Sequence, residues 1–226
     1  AVFCAAFFKK YQALVMIGLY ITGIVLGIIV ALILKNTAFR GKPVPFVMEL
    51  PNYRLPSAKS VGLLLWDKAK DFIQRAFTVI FFATIIIWFL ETFDAKLNVV
   101  KDSSDSLLAL IGQAISPIFK PLGFADWRVT TSLISGFTAK EAVVSTMAVL
   151  MNTSTANLGT ALSGAFSTLS ALSFLVFTLL YTPCVAAVAT IKRELDSRIQ
   201  TVGVVIMQCM VAWLCGCAVY QIGALL

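Results

Sequence analysis

The chain has 226 residues, 59% of them apolar and only 13% charged, with a mean hydropathy of +0.92. That is too little charge to cover a soluble domain of this length, and several charge-free stretches match a bilayer core in thickness, so the composition implies an all-α, polytopic membrane protein. The net charge of +7 lies beside the hydrophobic stretches, where it reads as a topology signal and not as a nucleic-acid footprint.

In chain order, a first span is predicted over residues 11–34, where Gly23 and Gly27 form a GxxxG spacing. That spacing admits close approach by a second helix, although it also suits an ordinary lipid-facing helix. Residues 35–56 carry Pro43, Pro45, Pro51 and Pro56, which remove backbone donors and predict an extended loop. Ser57 is placed to cap an amphipathic helix with Leu65, Trp66, Ala69, Phe72 and Ile73 on one face and Asp67, Lys70, Asp71 and Gln74 on the other. This helix is expected at the membrane interface, turning near residue 76 into a second span over 76–93. Eight Lys or Arg between residues 35 and 75 assign this region to the cytoplasmic side.

Residues 94–126, with Asp94, Asp102, Asp105 and Asp126, then fall outside. The short apolar run 107–119, interrupted by Pro117 and followed by Pro121, reads as interfacial or re-entrant. The apolar stretch 127–150 holds Lys140 and Glu141 at its middle; a Ser/Thr-rich loop follows, then a long apolar stretch over 166–191 containing Pro183. If both stretches crossed, the basic connector 192–198 would lie outside, against the charge rule. The conflict disappears if the segment around Lys140 re-enters, as transporter helices do where they place polar backbone at depth. A last span is predicted over 201–225, and Trp88, Trp127 and Trp213 are candidates for the membrane boundary.

Histidine is absent, so a metal site must use Cys, Asp, Glu, Ser, Thr, Met or backbone oxygens. The cysteines (4, 184, 209, 215, 217) show no CxxC and no disulfide framework. No GxxxxGK[ST] phosphate loop and no hydrolytic triad can be drawn, so the chain is not read as an enzyme. It opens on Ala1 without a signal-peptide pattern and reads as part of something longer.

Two features could carry chemistry. The first is Gly136, Lys140 and Glu141, with Thr138 and Ser145 one turn either side of Glu141. A lone charge in hydrocarbon costs about 2.5–3.5 kcal/mol on insertion scales, so each charge needs a partner or water. A cation-coordinating helix and a structural ion pair between helices both satisfy that need. The second is Thr182, Pro183 and Cys184: the proline frees helical carbonyls beside a hydroxyl and a sulfur, a donor set suited to Fe²⁺. A proline kink with a buried, inert cysteine is the alternative.

The motifs Pro45-Phe46-Val47-Met48-Glu49-Leu50-Pro51, Tyr53-Arg54-Leu55-Pro56, Pro121-Leu122-Gly123-Phe124, Gly136-Phe137-x-x-Lys140-Glu141 and Tyr181-x-Pro183-Cys184, with Arg193-Glu194, occur in an order that resembles the membrane part of the ferrous iron transport protein B family. The resemblance implies a multi-pass protein of the bacterial or archaeal cytoplasmic (inner) membrane, with Fe²⁺ as the transported ion. It divides the chain into 1–40, a transmembrane helix ending a first gate region; 41–126, a linker with amphipathic helix, span and outer segment; and 127–226, a second gate-like repeat. It further implies an N-terminal G domain, through which alone GTP would act, and the rest of a first gate repeat. Small cytoplasmic accessory proteins and a homo-oligomer are partners it allows; no nucleic acid is among them. On this reading Cys184, Glu141, Thr182, Ser145 and Thr138 are the metal candidates, and Gly136, Lys140 and Pro183 the structural or gating ones. A membrane anchor for the G domain without an ion path, and a nucleoside-type carrier, remain as alternatives.

Overall fold

The computed structural model describes residues 2–37, 57–100, 102–155, 157–181 and 184–225. The proline loop with its 45–56 motifs lies outside these residues, as do Thr182 and Pro183. The described residues are helical apart from turns and an isolated bridge between Phe93 and Val99, as expected of an α-helical membrane protein.

A short helix α1 (Val2–Phe7) precedes α2 (Gln12–Asn36), whose 25 residues bury none of their side chains. At 1.5 Å per residue α2 is about 37 Å long, enough to cross a bilayer core with its apolar surface in lipid. The GxxxG spacing contributes one contact: a Cβ at Gly23 would stand 3.4 Å from Leu179, whereas Gly27 faces open space.

Helix α3 (Ala58–Thr92) starts where Ser57 accepts the Ser60 amide at 3.2 Å, and then runs unbroken for 35 residues. The turn expected near residue 76 is not there, because no proline or glycine occurs between 63 and 92 to interrupt the hydrogen-bond ladder. At about 52 Å, α3 outruns a bilayer core of about 30 Å, so its amphipathic half leaves through the interface.

The chain then folds back in short pieces. After a turn organised by Asp94, whose carboxylate accepts the Lys96 and Asn98 amides at 2.7 and 2.9 Å, come α4 (Leu107–Ile115), a 3₁₀ segment (Ser116–Leu122) and α5 (Trp127–Ser135), with a 106° bend before α5. In that 3₁₀ segment Pro121 has no amide to give Ile118, and Trp213 supplies the donor from across the fold, its indole nitrogen 3.0 Å from the Ile118 carbonyl. Next are α6 (Ala142–Leu150), α7 (Leu158–Ala165) and, after a 109° bend, α8 (Thr168–Leu180); α9 (Val185–Leu195) and the 28-residue α10 (Arg198–Leu225) complete the chain.

The core lies where α8 packs along α10 and against α1 and the 3₁₀ segment, around Phe3, Phe119, Phe124, Phe166, Phe174 and Phe177. Ser173 bonds the Gly216 carbonyl at 2.8 Å inside this seam.

Two contacts orient the ends. Arg193 Nη1 lies 4.0 Å from Asp71 Oδ2, which sets the 192–198 connector beside the amphipathic half of α3. At the opposite end, Val149 and Leu150 of α6 border the same cavity as Glu91, Ser103 and Ser106. Helices α5 and α6 have nine residues each, about 14 Å, which is too short to cross.

Candidate functional site

Two helix breaks meet in the middle of the fold. One is 136–141, between α5 and α6; the other follows Leu180, between α8 and α9. The Val185 amide, which opens α9, donates to the Phe137 carbonyl at 2.9 Å, joining the two.

The end of α8 leaves carbonyls without intrahelical donors, and Lys140 takes them. Its Nζ donates to the carbonyls of Thr178 (3.2 Å), Leu179 (3.4 Å) and Tyr181 (3.3 Å), and stands 4.8 Å from the centre of the Tyr181 ring. Three carbonyl oxygens, the negative end of a helix and an aromatic face form a cation site. Here the occupant is a tethered ammonium.

Gly136 makes the approach possible: a Cβ there would collide with Val143 and stand 2.7 Å from the Tyr181 hydroxyl. Tyr181 is buried, and its hydroxyl has no hydrogen-bond partner among the described residues. Cys184, at the start of α9, lies within electrostatic reach of both Lys140 and Tyr181, and Cys209 of α10 within reach of Tyr181.

The remaining candidates are dispersed. Glu141 sits at the N-terminus of α6 with an exposed side chain that makes no capping bond. Thr138 donates to the Ser135 carbonyl at 2.7 Å, and Ser145 to the Ala142 carbonyl at 3.1 Å. Ser145 also borders a separate cavity of about 180 Å³, together with Glu91 and Thr131. Among the described residues no three Cys, Asp or Glu side chains are grouped closely enough to hold a metal. The strip of oxygens expected along one face is therefore shared between two places.

Sequence reasoning missed Tyr181 as a partner of Lys140, and it missed Glu91, whose Oε1 accepts the Ser135 hydroxyl at 3.2 Å. A carboxylate near the end of a predicted span was the available signal for Glu91.

Residues 73–198 match the family model Gate, described as nucleoside recognition, and residues 16–68 match the model described as ferrous iron transport protein B C terminus. Among similar curated proteins is the Fe(2+) transporter FeoB of Staphylococcus aureus (strain MSSA476), 36% identical over 225 residues, covering 100% of this chain and 34% of that protein. The Fe(2+) transporter FeoB of Methanocaldococcus jannaschii is 35% identical over 202 residues, covering 86% and 30%. A Fe(2+) transport protein A/Fe(2+) transporter FeoB fusion protein of Porphyromonas gingivalis is 32% identical over 268 residues, covering 97% and 32%. The chain thus spans about a third of the length of the curated relatives it matches. No solved structure matches it.

Proposed function

Because this chain belongs to the ferrous iron transport protein B family, we propose that it is membrane machinery for Fe²⁺ import in the cytoplasmic membrane and that the ion is handled where the two helix breaks cross. One observation carries this reading: the ammonium of Lys140 occupies a cage of three carbonyls at the end of α8, and the Val185 amide, next to Cys184, is tied to the Phe137 carbonyl of the same break. Fe²⁺ would be held there by the Cys184 thiolate and by oxygens from Thr182, Glu141 and Thr138. Sulfur favours Fe²⁺ over Mg²⁺ or Ca²⁺, and the oxygens keep binding weak enough for release.

Lys140 sets the gate. A divalent and a monovalent cation about 4 Å apart repel by about 8 kcal/mol at an effective dielectric of 20, so metal and ammonium do not share the cage. Withdrawal of Lys140 opens it; its return expels the ion. The G domain and the rest of a first gate repeat, on this reading, lie in the remainder of the protein and bias that exchange.

Fe²⁺ uptake by cells carrying the full-length protein tests the path. Cys184→Ser and Glu141→Gln are each expected to lower uptake at least tenfold at unchanged protein level. Unchanged uptake in both removes the path. The Gate description favours one second reading, a nucleoside carrier; inhibition of uptake by nucleosides and not by metals would support it.

A further inference from the structure

Helix α9 is lightly packed. None of its side chains is buried, and it faces the amphipathic half of α3 across a cavity of about 530 Å³, bordered by Lys68, Asp71, Gln74 and Val79 on one side and by Ala189 and Arg193 on the other. Helices held apart in this way share little buried apolar surface, so one shifts against the other at small cost.

Breaks bound α9 at both ends. It starts at Cys184, after the break that ends α8, and stops at Asp196, whose φ of 46° lies in the left-handed region. Between them run 11 residues without Gly or Pro, a rod about 16 Å long. Each end of the rod meets a different element. At its start the Val185 amide donates to the Phe137 carbonyl at 2.9 Å, in the same break that carries Lys140. At its other end Arg193 Nη1 lies 4.0 Å from Asp71 Oδ2 of α3. A helix without a breaker resists bending, so a displacement at one end reaches the other.

We propose that α9 is a strut through which the amphipathic half of α3 positions the first helix break and the Lys140 ammonium, with Asp71 and Arg193 as positioning residues. When α3 shifts, Arg193 follows Asp71, the start of α9 moves, and the Val185–Phe137 bond that joins the two breaks lengthens. The seat of Lys140 on α8 then loses one of its supports. The strut exists whatever passes the crossing; only its meaning for transport rests on the iron reading.

The test is hydrogen–deuterium exchange of the full chain in lipid nanodiscs, read in peptides over 137–143 and 185–190. Both charged partners are more than half exposed. Asp71→Arg and Arg193→Glu are each expected to accelerate exchange in both peptides about threefold, the scale of an exposed ion pair, and to leave residues 208–220 of α10 at the parental rate. Arg193→Lys keeps the charge and is expected to stay near the parent. The double variant, Asp71→Arg with Arg193→Glu, restores the attraction with its signs exchanged and should bring both peptides back towards the parental rate. Parental exchange over 137–143 in both single variants overturns the strut, as does a double variant that exchanges no more slowly than the singles. Acceleration that spreads equally to α10 also overturns it, since that is lost stability and not coupling. Fe²⁺ uptake by cells carrying the full-length protein with the same substitutions tells the two readings apart: coupled exchange with parental uptake keeps the strut and counts against the crossing as the path of the ion.

Discussion

Gly136 is the residue on which the crossing depends. With hydrogen in place of Cβ it admits both Val143 and the Tyr181 hydroxyl, the latter at 2.7 Å from where a methyl would begin. Val143 and Tyr181 are themselves buried, so neither has room to retreat. Overpacking of this kind costs about 1–3 kcal/mol. Gly136→Ala is therefore expected to lower the thermal midpoint of the detergent-solubilised chain and to separate the two breaks. A melting curve followed by tryptophan emission checks it, and a midpoint equal to that of the parent would show that the contact is looser than drawn. The glycine was legible as part of a motif. Its partner was not, because Tyr181 lies 45 positions away in sequence, and only the fold brings them together. Glu91 was hidden for another reason: near the end of an apolar stretch a lone carboxylate is ordinary, and only the fold brings the Ser135 hydroxyl to it.

Among the elements, α8 is the one whose end matters. Its last carbonyls accept from the Lys140 ammonium. Lys140→Met keeps the length of the side chain and removes the donor. Leaving these carbonyls without the ammonium is worth about 2 kcal/mol at this half-buried position. Amide exchange at the start of α9 is expected to accelerate roughly tenfold in this variant, while α2 and α10 keep their protection. Equal acceleration in all three helices would instead mean that Lys140 serves the whole fold. Long spans were readable because their signal is local: α2 and α10 show as uninterrupted apolar runs. The breaks were readable only in part. Pro183 announces one through its missing amide, but the other is marked by Lys140 and Glu141, which on their own say that a charge needs a partner and not where the helix stops. The turn expected near residue 76 rested on amphipathicity, and amphipathicity does not bend a helix that lacks a breaker.

At the scale of the whole molecule, charge and geometry point to one topology. The eight basic residues between 35 and 75 would place the amphipathic half of α3 on the cytoplasmic side by the positive-inside rule, and the Arg193–Asp71 contact brings the 192–198 connector to the same end. Glu91 lies 20 residues beyond Asp71 along α3, about 30 Å away, or one bilayer core. The end of α6 borders the cavity at Glu91; if the loop after α6 lies at the outer end, the segment around Lys140 is re-entrant. By length and composition α2 and α10 are candidate spans; a re-entrant 127–150 would leave the remaining crossings to α3 and the α8–α9 pair and would put each basic connector inside. Single cysteines at Asp105, Thr155 and Lys192, all exposed, separate this arrangement from one in which residues 127–150 span. An impermeant maleimide applied to the outer face should label Asp105→Cys and Thr155→Cys above the parent background, and should reach Lys192→Cys only after the cytoplasmic face is opened. If Thr155→Cys reacted from the cytoplasmic face, α5 and α6 would have to cross, and their combined length with the 136–141 break would need to span the core with Lys140 still seated on α8. That would place the cage between two crossing segments instead of at the tip of a re-entrant one, and the exchange of ammonium for metal would no longer have an outward-facing path.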